Sequence, residues 1–174
     1  MWGKVGVQCR TRAGVEGLLP LLHSGPPNFL MAFSGTFDYT LDAKNRLTVP
    51  AKMRTALTGT VVLSRGTQHC LTIWLKDEFH AFVATALEGV GLLDPKRDNI
   101  KRFFFSYAFE VELDSAGRVM LPSRLMELAG LDKEVVVNGI GDRIEIWDRP
   151  TWNAFSATQS IDDLAALLAD SPGA

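Results

Sequence analysis

The same segment occurs twice in this chain. The first copy covers residues 37–54 and the second covers residues 109–126, and the two align at an offset of 72 residues without a gap. Identical residues stand at equivalent positions in both copies: Phe37 and Phe109, Leu41 and Leu113, Asp42 and Asp114, Arg46 and Arg118, Pro50 and Pro122. An internal repeat of this length predicts that each copy is one supersecondary unit that packs against the other.

Both copies predict the same local structure. Apolar and polar residues alternate before each Asp, which indicates a half-buried strand. Asp42 and Asp114 then begin a tight turn, because an Asp carboxylate accepts hydrogen bonds from backbone amides two residues on. Asn45 and Gly117 supply the left-handed backbone that such a turn needs. A second short strand follows, and the Pro after it lies where a helix begins. The pattern therefore predicts a hairpin whose loop is shaped by Asp and displays Arg.

The duplicated Asp-x-x-Gly-Arg-x-x-x-Pro hairpin resembles the AbrB/SpoVT type of swapped-hairpin domain. Two copies in one chain, preceded by Phe33-Ser34-Gly35-Thr36, closely resemble the MraZ family of bacterial transcriptional regulators. The resemblance extends from about Met31 to Trp152, and Asn45 departs from it, since the family usually has Gly there. It implies an α+β fold, in which two tandem AbrB-like repeats form a double-split, swapped-hairpin β-barrel with flanking helices.

The resemblance also implies a function. Members of this family bind short direct repeats in double-stranded DNA upstream of the cell-division and cell-wall gene cluster. They assemble into homo-oligomeric rings of about eight subunits, which engage several repeats together. We therefore expect a cytoplasmic, nucleoid-associated transcriptional regulator that needs no cofactor and is not an enzyme.

The arginines of the two hairpins are the first candidates for base recognition. Arg46 and Arg118 stand on a two-stranded ribbon, which fits the major groove, and an arginine can bind guanine O6 and N7 in a bidentate manner. Lys44 next to Arg46 adds a base or phosphate contact. The second loop has a single cation, Arg118, so the first loop is expected to make more of the base contacts. The alternative role of each arginine is a salt bridge to Asp42 or Asp114 in its own loop.

Charge is distributed unevenly along the chain, although the net charge is only −2. Residues 32–80 carry six Lys/Arg against four Asp/Glu, whereas residues 108–148 carry four against nine. DNA binding therefore requires the cations to be gathered on one surface, since charges act within a Debye length of ~10 Å. Lys52 and Arg54, on the helix predicted after the first hairpin, are candidates for phosphate contacts; the alternative is an outward-facing solvated pair.

The competing hypothesis is a protein that does not bind DNA, either a β-barrel enzyme or a ligand-binding oligomer. Asp42 and Asp114 are equivalent by repeat and could form a carboxylate pair, but their turn role explains both. His69, Cys70 and His80 lack the spacing of a metal site, so no metal is predicted. The loop tips display the cations Lys44, Arg46 and Arg118, which favours DNA binding over catalysis.

The repeat also predicts how the chain is divided. Residues 1–31 are interpreted as a disordered extension or a start codon assigned too far upstream. Repeats at 35–80 and 108–154 flank a helical connector at 81–107, whose aromatic residues Phe103, Phe104 and Tyr107 are predicted to pack in the core or between subunits. Residues 138–142 are predicted to be a plain turn between two strands, and residues 155–174 a flexible tail. No run of about 18 apolar residues occurs, so no membrane span is predicted.

Overall fold

The computed structural model describes residues 32–161; the predicted N-terminal extension, except for its boundary, and residues 162–174 of the predicted tail lie outside the described residues. The strands in this part are β1 (Phe33–Thr40), β2 (Arg46–Thr48), β3 (Thr60–Arg65), β4 (Cys70–Leu75), β5 (Phe109–Glu112), β6 (Arg118–Met120), β7 (Glu134–Gly141) and β8 (Arg143–Asp148). The helices are α1 (Ala51–Arg54), α2 (Lys76–Ala86), α3 (Pro95–Phe105), α4 (Ser123–Ala129) and α5 (Arg149–Ala157). The fold is α+β, as predicted.

The strands form one large sheet and one small ribbon. The six-stranded sheet has the order β1-β7-β8-β4-β3-β5, and β2 pairs with β6 in a separate two-stranded ribbon. Every pairing is antiparallel. Four helices contact the large sheet: α2, α3, α4 and α5.

The two repeats exchange strands. β1 of the first repeat pairs with β7 of the second, and β5 of the second repeat pairs with β3 of the first. The ribbon is symmetric in register, because Leu47 pairs with its repeat equivalent Val119. The centre of the large sheet is symmetric as well, with Thr72 opposite Glu145. The molecule therefore has a pseudo-two-fold axis that relates one repeat to the other.

The main core lies between the large sheet and the ribbon. Leu47 and Val119 are fully buried there and pack with apolar residues of α1 and α4, including Met53 and Leu125. Fully burying an aliphatic side chain of this size contributes about 1.5–3 kcal/mol to folding. The inward-facing residues of the ribbon thus hold it firmly against the sheet.

The opposite face of the sheet is covered by helices. α2 and α3 enclose a second cluster around Trp74, Phe79 and Phe104. Phe104, which the sequence offered for core or subunit contacts, is 9% exposed and packs on Phe82 at 5.4 Å between ring centroids. Of the two alternatives, core packing therefore holds for Phe104, because the chain buries this ring itself. Its neighbour Phe105 is 44% exposed.

The connection predicted at residues 138–142 does join two strands, but it is shorter than predicted, because β7 continues to Gly141 and β8 begins at Arg143. Gly139 lies opposite Gly35 of β1 in the antiparallel register. A Cβ at Gly139 would stand 2.5 Å from the backbone nitrogen of Ser34. The glycine therefore allows a close approach between two strands, one of the roles of glycine inside a sheet.

No helix between residues 32 and 161 combines the length and the apolar character that a membrane-spanning segment requires.

Candidate nucleic-acid interface

The β2–β6 ribbon presents its polar face outward. Side chains alternate along a strand, and cross-strand neighbours share a face. Because Leu47 and Val119 point into the core, the flanking pairs Arg46–Met120 and Thr48–Arg118 lie on the other side. Met120 is 63% exposed and marks this face as open. The two predicted base-reading arginines thus lie on the same face of one ribbon.

The first loop is built around the Asp42 carboxylate. Its Oδ1 accepts hydrogen bonds from the backbone N–H groups of Lys44 (2.8 Å) and Arg46 (3.0 Å). Its Oδ2 accepts a bond from Arg46 Nε at 2.6 Å. These donors, led by the Arg46 backbone N–H, lower the pKa of Asp42 to about 2. The carboxylate therefore shapes the loop and fixes the arginine at the same time.

The second loop repeats these hydrogen bonds, and Arg118 Nη2 also lies 2.7 Å from Asp114 Oδ2. Asp114 Oδ1 accepts from the backbone N–H groups of Ala116 (2.9 Å) and Arg118 (3.0 Å), and Oδ2 accepts from Arg118 Nε at 2.8 Å. The side-chain bond to Arg118 is the largest cause of the lowered pKa of Asp114. The same bond raises the pKa of Arg118, and the charge of Asp42 adds to that rise. The two loops are therefore close enough to interact electrostatically.

The fourth position of each loop adopts the left-handed backbone. Asn45 has φ 56° and Gly117 has φ 73°. Each donates its backbone N–H to the carbonyl of its own Asp, at 2.9 Å and 2.8 Å respectively. Asn45 therefore holds the same conformation that glycine holds in the second loop.

Arg54 extends from the end of α1 to the second loop. Its NH1 group lies 3.4 Å from the carbonyl oxygen of Ala116, and its side chain covers the Cα of Gly117 so closely that a Cβ there would overlap it. This contact supports the backbone of the second loop. It also places the Arg54 charge beside the ribbon.

Three further cations surround the ribbon. Lys44 is exposed at the tip of the first loop, and Lys52 is exposed on α1. Arg124 of α4 is the repeat equivalent of Lys52 and is also exposed, with its guanidinium 5.3 Å from the centre of the Tyr107 ring. Arg124 was not among the residues predicted to bind DNA. It could have been predicted from the 72-residue offset of the repeat, which aligns it with Lys52, a predicted phosphate contact.

The geometry gives no support to catalysis by the two aspartates. An acid–base pair needs environments that push two pKa values apart, whereas the pKa values of Asp42 and Asp114 are both lowered. Each carboxylate is saturated by its own loop. Between residues 32 and 161, no cluster of three or more His, Cys, Asp or Glu side chains could hold a metal ion.

A prediction about pH follows from the first loop. The folded pKa of Asp42, about 2, lies below the ordinary value of 3.8. A carboxylate whose pKa is lower in the folded than in the unfolded protein stabilises the fold. This contribution is complete above the unfolded pKa and is lost as the pH falls through the folded pKa. We expect the amide resonances of Lys44 and Arg46 to stay fixed from pH 8 to pH 4 and to move only below that. An Asp42→Asn variant should lack the movement, and a wild-type midpoint near 4 would contradict the geometry.

Comparison with known families agrees with this architecture. A family model described as "MraZ protein, putative antitoxin-like" matches residues 32–102 and again residues 104–170. The two matches cover most of the chain and correspond to the two repeats that exchange strands. The chain therefore belongs to the MraZ family.

Proposed function

We propose that this protein is a sequence-specific DNA-binding transcriptional regulator that reads bases with Arg46 and Arg118. One observation carries the proposal: two arginines, each anchored by an Asp of its own loop, share the open face of one two-stranded ribbon. A ribbon of two strands about 5 Å apart enters a major groove about 12 Å wide.

The anchoring of the arginines suits them to base recognition. A free arginine side chain has about 2 kcal/mol of rotamer entropy to lose, and a guanidinium that is already held loses less on binding. The bond to Asp42 uses Arg46 Nε, so both terminal nitrogens of Arg46 can face guanine O6 and N7. Arg118 uses Nε as well, but its Nη2 also lies 2.7 Å from Asp114 Oδ2. Asp42 and Asp114 act here as positioning residues.

The two loops have different charges, and we propose different contributions. Lys44 adds an exposed cation to the first loop, where the second loop has Ala116. The first loop therefore makes more of the base contacts. Lys52 contacts phosphate, with Arg124 in the equivalent place, and Arg54 supports the second loop while adding charge.

The exchange of strands between repeats supports a swapped-hairpin β-barrel as the scaffold. In this interpretation residues 35–80 and 108–154 form the two interlocked repeats, and residues 81–107 connect them. Both arginines then belong to one rigid body, so they can be presented to the same groove.

Assembly into a ring of about eight subunits would let several weak ribbons engage successive direct repeats together. The gene cluster for cell division and the cell wall is the proposed target, and the cytoplasmic nucleoid the proposed location. Leu92, Leu93 and Phe105 are exposed apolar side chains of the connector and are available for contacts between subunits. Light scattering at micromolar concentration should report a multiple of the 19.1 kDa chain mass, and a monomer would exclude the ring.

The direct test of function is a mobility shift on the DNA upstream of the protein's own gene, compared with a scrambled duplex at two salt concentrations. If binding is sequence-specific, the complex with the upstream DNA should persist at a salt concentration that dissociates the complex with the scrambled duplex. Salt weakens the phosphate contacts that both duplexes share. Equal loss of both complexes would exclude sequence-specific recognition.

Lys52→Ala should weaken binding to both duplexes by the same factor. A phosphate contact carries no sequence information, and losing one reduces the slope of log K against log salt by about 1 per site. Lys101→Ala is the matched control, since Lys101 is an exposed cation on α3, on the helix-covered side of the sheet. A loss confined to the upstream sequence would instead assign Lys52 to base recognition.

A further inference from the structure

The two ends of the β2–β6 ribbon have equivalent backbones but different side chains. Each arginine lies opposite the residue that follows the other arginine by two positions, so the pseudo-two-fold axis relates the pair Arg46–Met120 to the pair Arg118–Thr48. The arginines are the same at both ends, whereas Met120 stands where the symmetry places Thr48. A difference in what the two ends contact therefore depends on the residues beside the arginines.

Met120 is an apolar side chain that is open to solvent on the face that carries the arginines. It is 63% exposed, whereas Thr48 is half-buried. Its neighbours in the chain, Val119 and Leu121, are buried in the main core, so the exposure of Met120 follows from the alternation of the strand. Methionine is unbranched and has three rotatable bonds, which lets its end reach farther from the strand than a threonine side chain and adapt to an irregular surface.

Met120 lies beside the first loop, although it belongs to the second repeat. The backbone N–H of Leu121 donates to the carbonyl oxygen of Asn45 at 2.9 Å, which ties this end of β6 to the first loop. Across the ribbon Met120 is paired with Arg46. The side chains that follow Arg46 onto a DNA surface are therefore those of both repeats.

An open depression of about 500 Å³ adjoins Met120 on this side of the ribbon. Val111 and Pro122 line it together with Met120, and Lys44 of the first loop lines it as well. Glu112 is also part of the lining, and its carboxylate disfavours a phosphate at this place. The depression is thus partly apolar, and a neutral group of the DNA suits it better than the phosphate backbone.

The chemistry of the major groove names that neutral group. Most of the base edges there are hydrogen-bond donors and acceptors, and thymine adds a methyl group at C5. Directly opposite residues of two paired strands have Cβ atoms about 4.5–5.5 Å apart, and successive base pairs are about 3.4 Å apart along the helix. A side chain opposite Arg46 is therefore within reach of the base pair next to the one that Arg46 contacts.

We propose that Met120 is a specificity-determining residue, which packs against the 5-methyl group of a thymine in the base pair next to the guanine bound by Arg46. This inference rests on the proposed DNA binding and adds a second base to the sequence that the first loop reads. At the other end of the ribbon Thr48 is shorter and half-buried, and Arg118 binds its guanine without this contact. The ribbon therefore reads an asymmetric sequence, and each subunit binds it in one orientation.

Replacing thymine with uracil tests the contact, because uracil keeps the base pairing and lacks only the methyl group. Each thymine of the upstream DNA is replaced in turn, and the affinity of the full-length protein is measured by mobility shift. Burying one methyl group contributes about 0.8 kcal/mol, which corresponds to about fourfold in affinity. We expect at least one position at which uracil weakens binding of the wild type about fourfold.

Two substitutions of similar size assign that effect to Met120. Met120→Gln keeps the length of the side chain but ends in a polar amide, so it should bind the thymine duplex about fourfold more weakly than the wild type and no longer distinguish thymine from uracil. Met120→Leu keeps an apolar end and should retain the distinction. Thr48→Ala, at the symmetry-related place, should retain it as well. Because Met120 is largely exposed, its substitutions leave the core packing unchanged.

The outcomes distinguish this inference from the proposed function. A wild-type protein that binds upstream and scrambled DNA alike would overturn both. Specific binding that no uracil weakens, or a uracil effect that Met120→Gln retains, would overturn the inference alone and leave base recognition by the arginines in place. Loss of the distinction from Met120→Leu and Thr48→Ala as well would also overturn it, because the effect would then not belong to the apolar end of Met120.

Discussion

Replacing Arg46 with alanine is expected to abolish sequence-specific DNA binding while the protein stays folded and assembled. A bidentate contact between arginine and guanine contributes about 1–3 kcal/mol of discrimination. In the proposed ring that loss recurs at each engaged subunit, and a few such losses exceed the ~4–10 kcal/mol that separates specific from non-specific binding. The mobility shift on upstream DNA should disappear, leaving the salt-sensitive binding that scrambled DNA also shows.

Two further variants make this test specific. Arg46→Lys should also fail, because an ammonium group cannot reproduce the planar fork, although it keeps the charge. Arg118→Ala should weaken binding less, because its loop lacks the neighbouring cation Lys44. Arg118 is a control for structure as well, since its Nε donates to its own Asp as that of Arg46 does, and its Nη2 lies 2.7 Å from the same carboxylate.

Light scattering must show that each variant keeps the wild-type mass, because a disordered loop would imitate lost recognition. If an assembled Arg46→Ala protein still binds the upstream DNA at wild-type concentrations and still rejects the scrambled duplex, the ribbon is not the reader. A ligand-binding or enzymatic role for the scaffold would then gain support.

Much of this interface could be predicted because its geometry is local. The loop from Asp42 to Arg46 is closed by bonds between residues at most four positions apart. Residue type alone therefore predicts the Asp turn and the left-handed position of Asn45. The bond from Arg46 to Asp42, which the sequence left as an alternative to base reading, proved compatible with it, since it uses Nε alone.

Features that depend on distant contacts were harder to predict. The repeat indicated that the two copies pack together, but not that β1 pairs with β7 and β5 with β3. The support that Arg54 gives to Gly117 joins positions more than sixty residues apart. Core and subunit packing both stayed open for Phe104, because helical spacing reveals an apolar face without revealing which element covers it.

Gly139 was misread for a related reason. Local pattern associates Gly with turns, and a closely spaced pair between two apolar runs is typical of a hairpin connection. Here Gly139 continues the strand because β1 passes directly over it. The cause lies in Phe33 and Ser34, about a hundred residues earlier, which no local window can include.

Gly139→Ala should therefore destabilise the fold strongly, although it adds only one methyl group. Its Cβ would stand 2.5 Å from the Ser34 backbone nitrogen and 2.7 Å from the Phe33 carbonyl carbon. Overpacking commonly costs about 1–3 kcal/mol, and we expect the upper end or beyond, because backbone atoms cannot rotate away as a side chain can. The shift of β1 would also move Phe33 out of the main core. Urea denaturation at matched protein concentration should show a lower midpoint with an unchanged slope.

Gly91→Ala is the control, because it adds the same methyl group where space is free. The nearest heavy atom to its Cβ is the Cβ of Asp94 at 3.9 Å, an ordinary contact. Surface substitutions of this kind usually change stability by less than about 0.5 kcal/mol. The two variants match in composition and in the backbone entropy that the unfolded chain loses, so the difference between their midpoints isolates the close approach of β1 to β7. Equal midpoints would mean that β1 can move away from β7 at no cost in folding free energy. The exchange of strands, which helps to hold Arg46 and Arg118 on one ribbon, would then be weaker than the register of β1 and β7 requires.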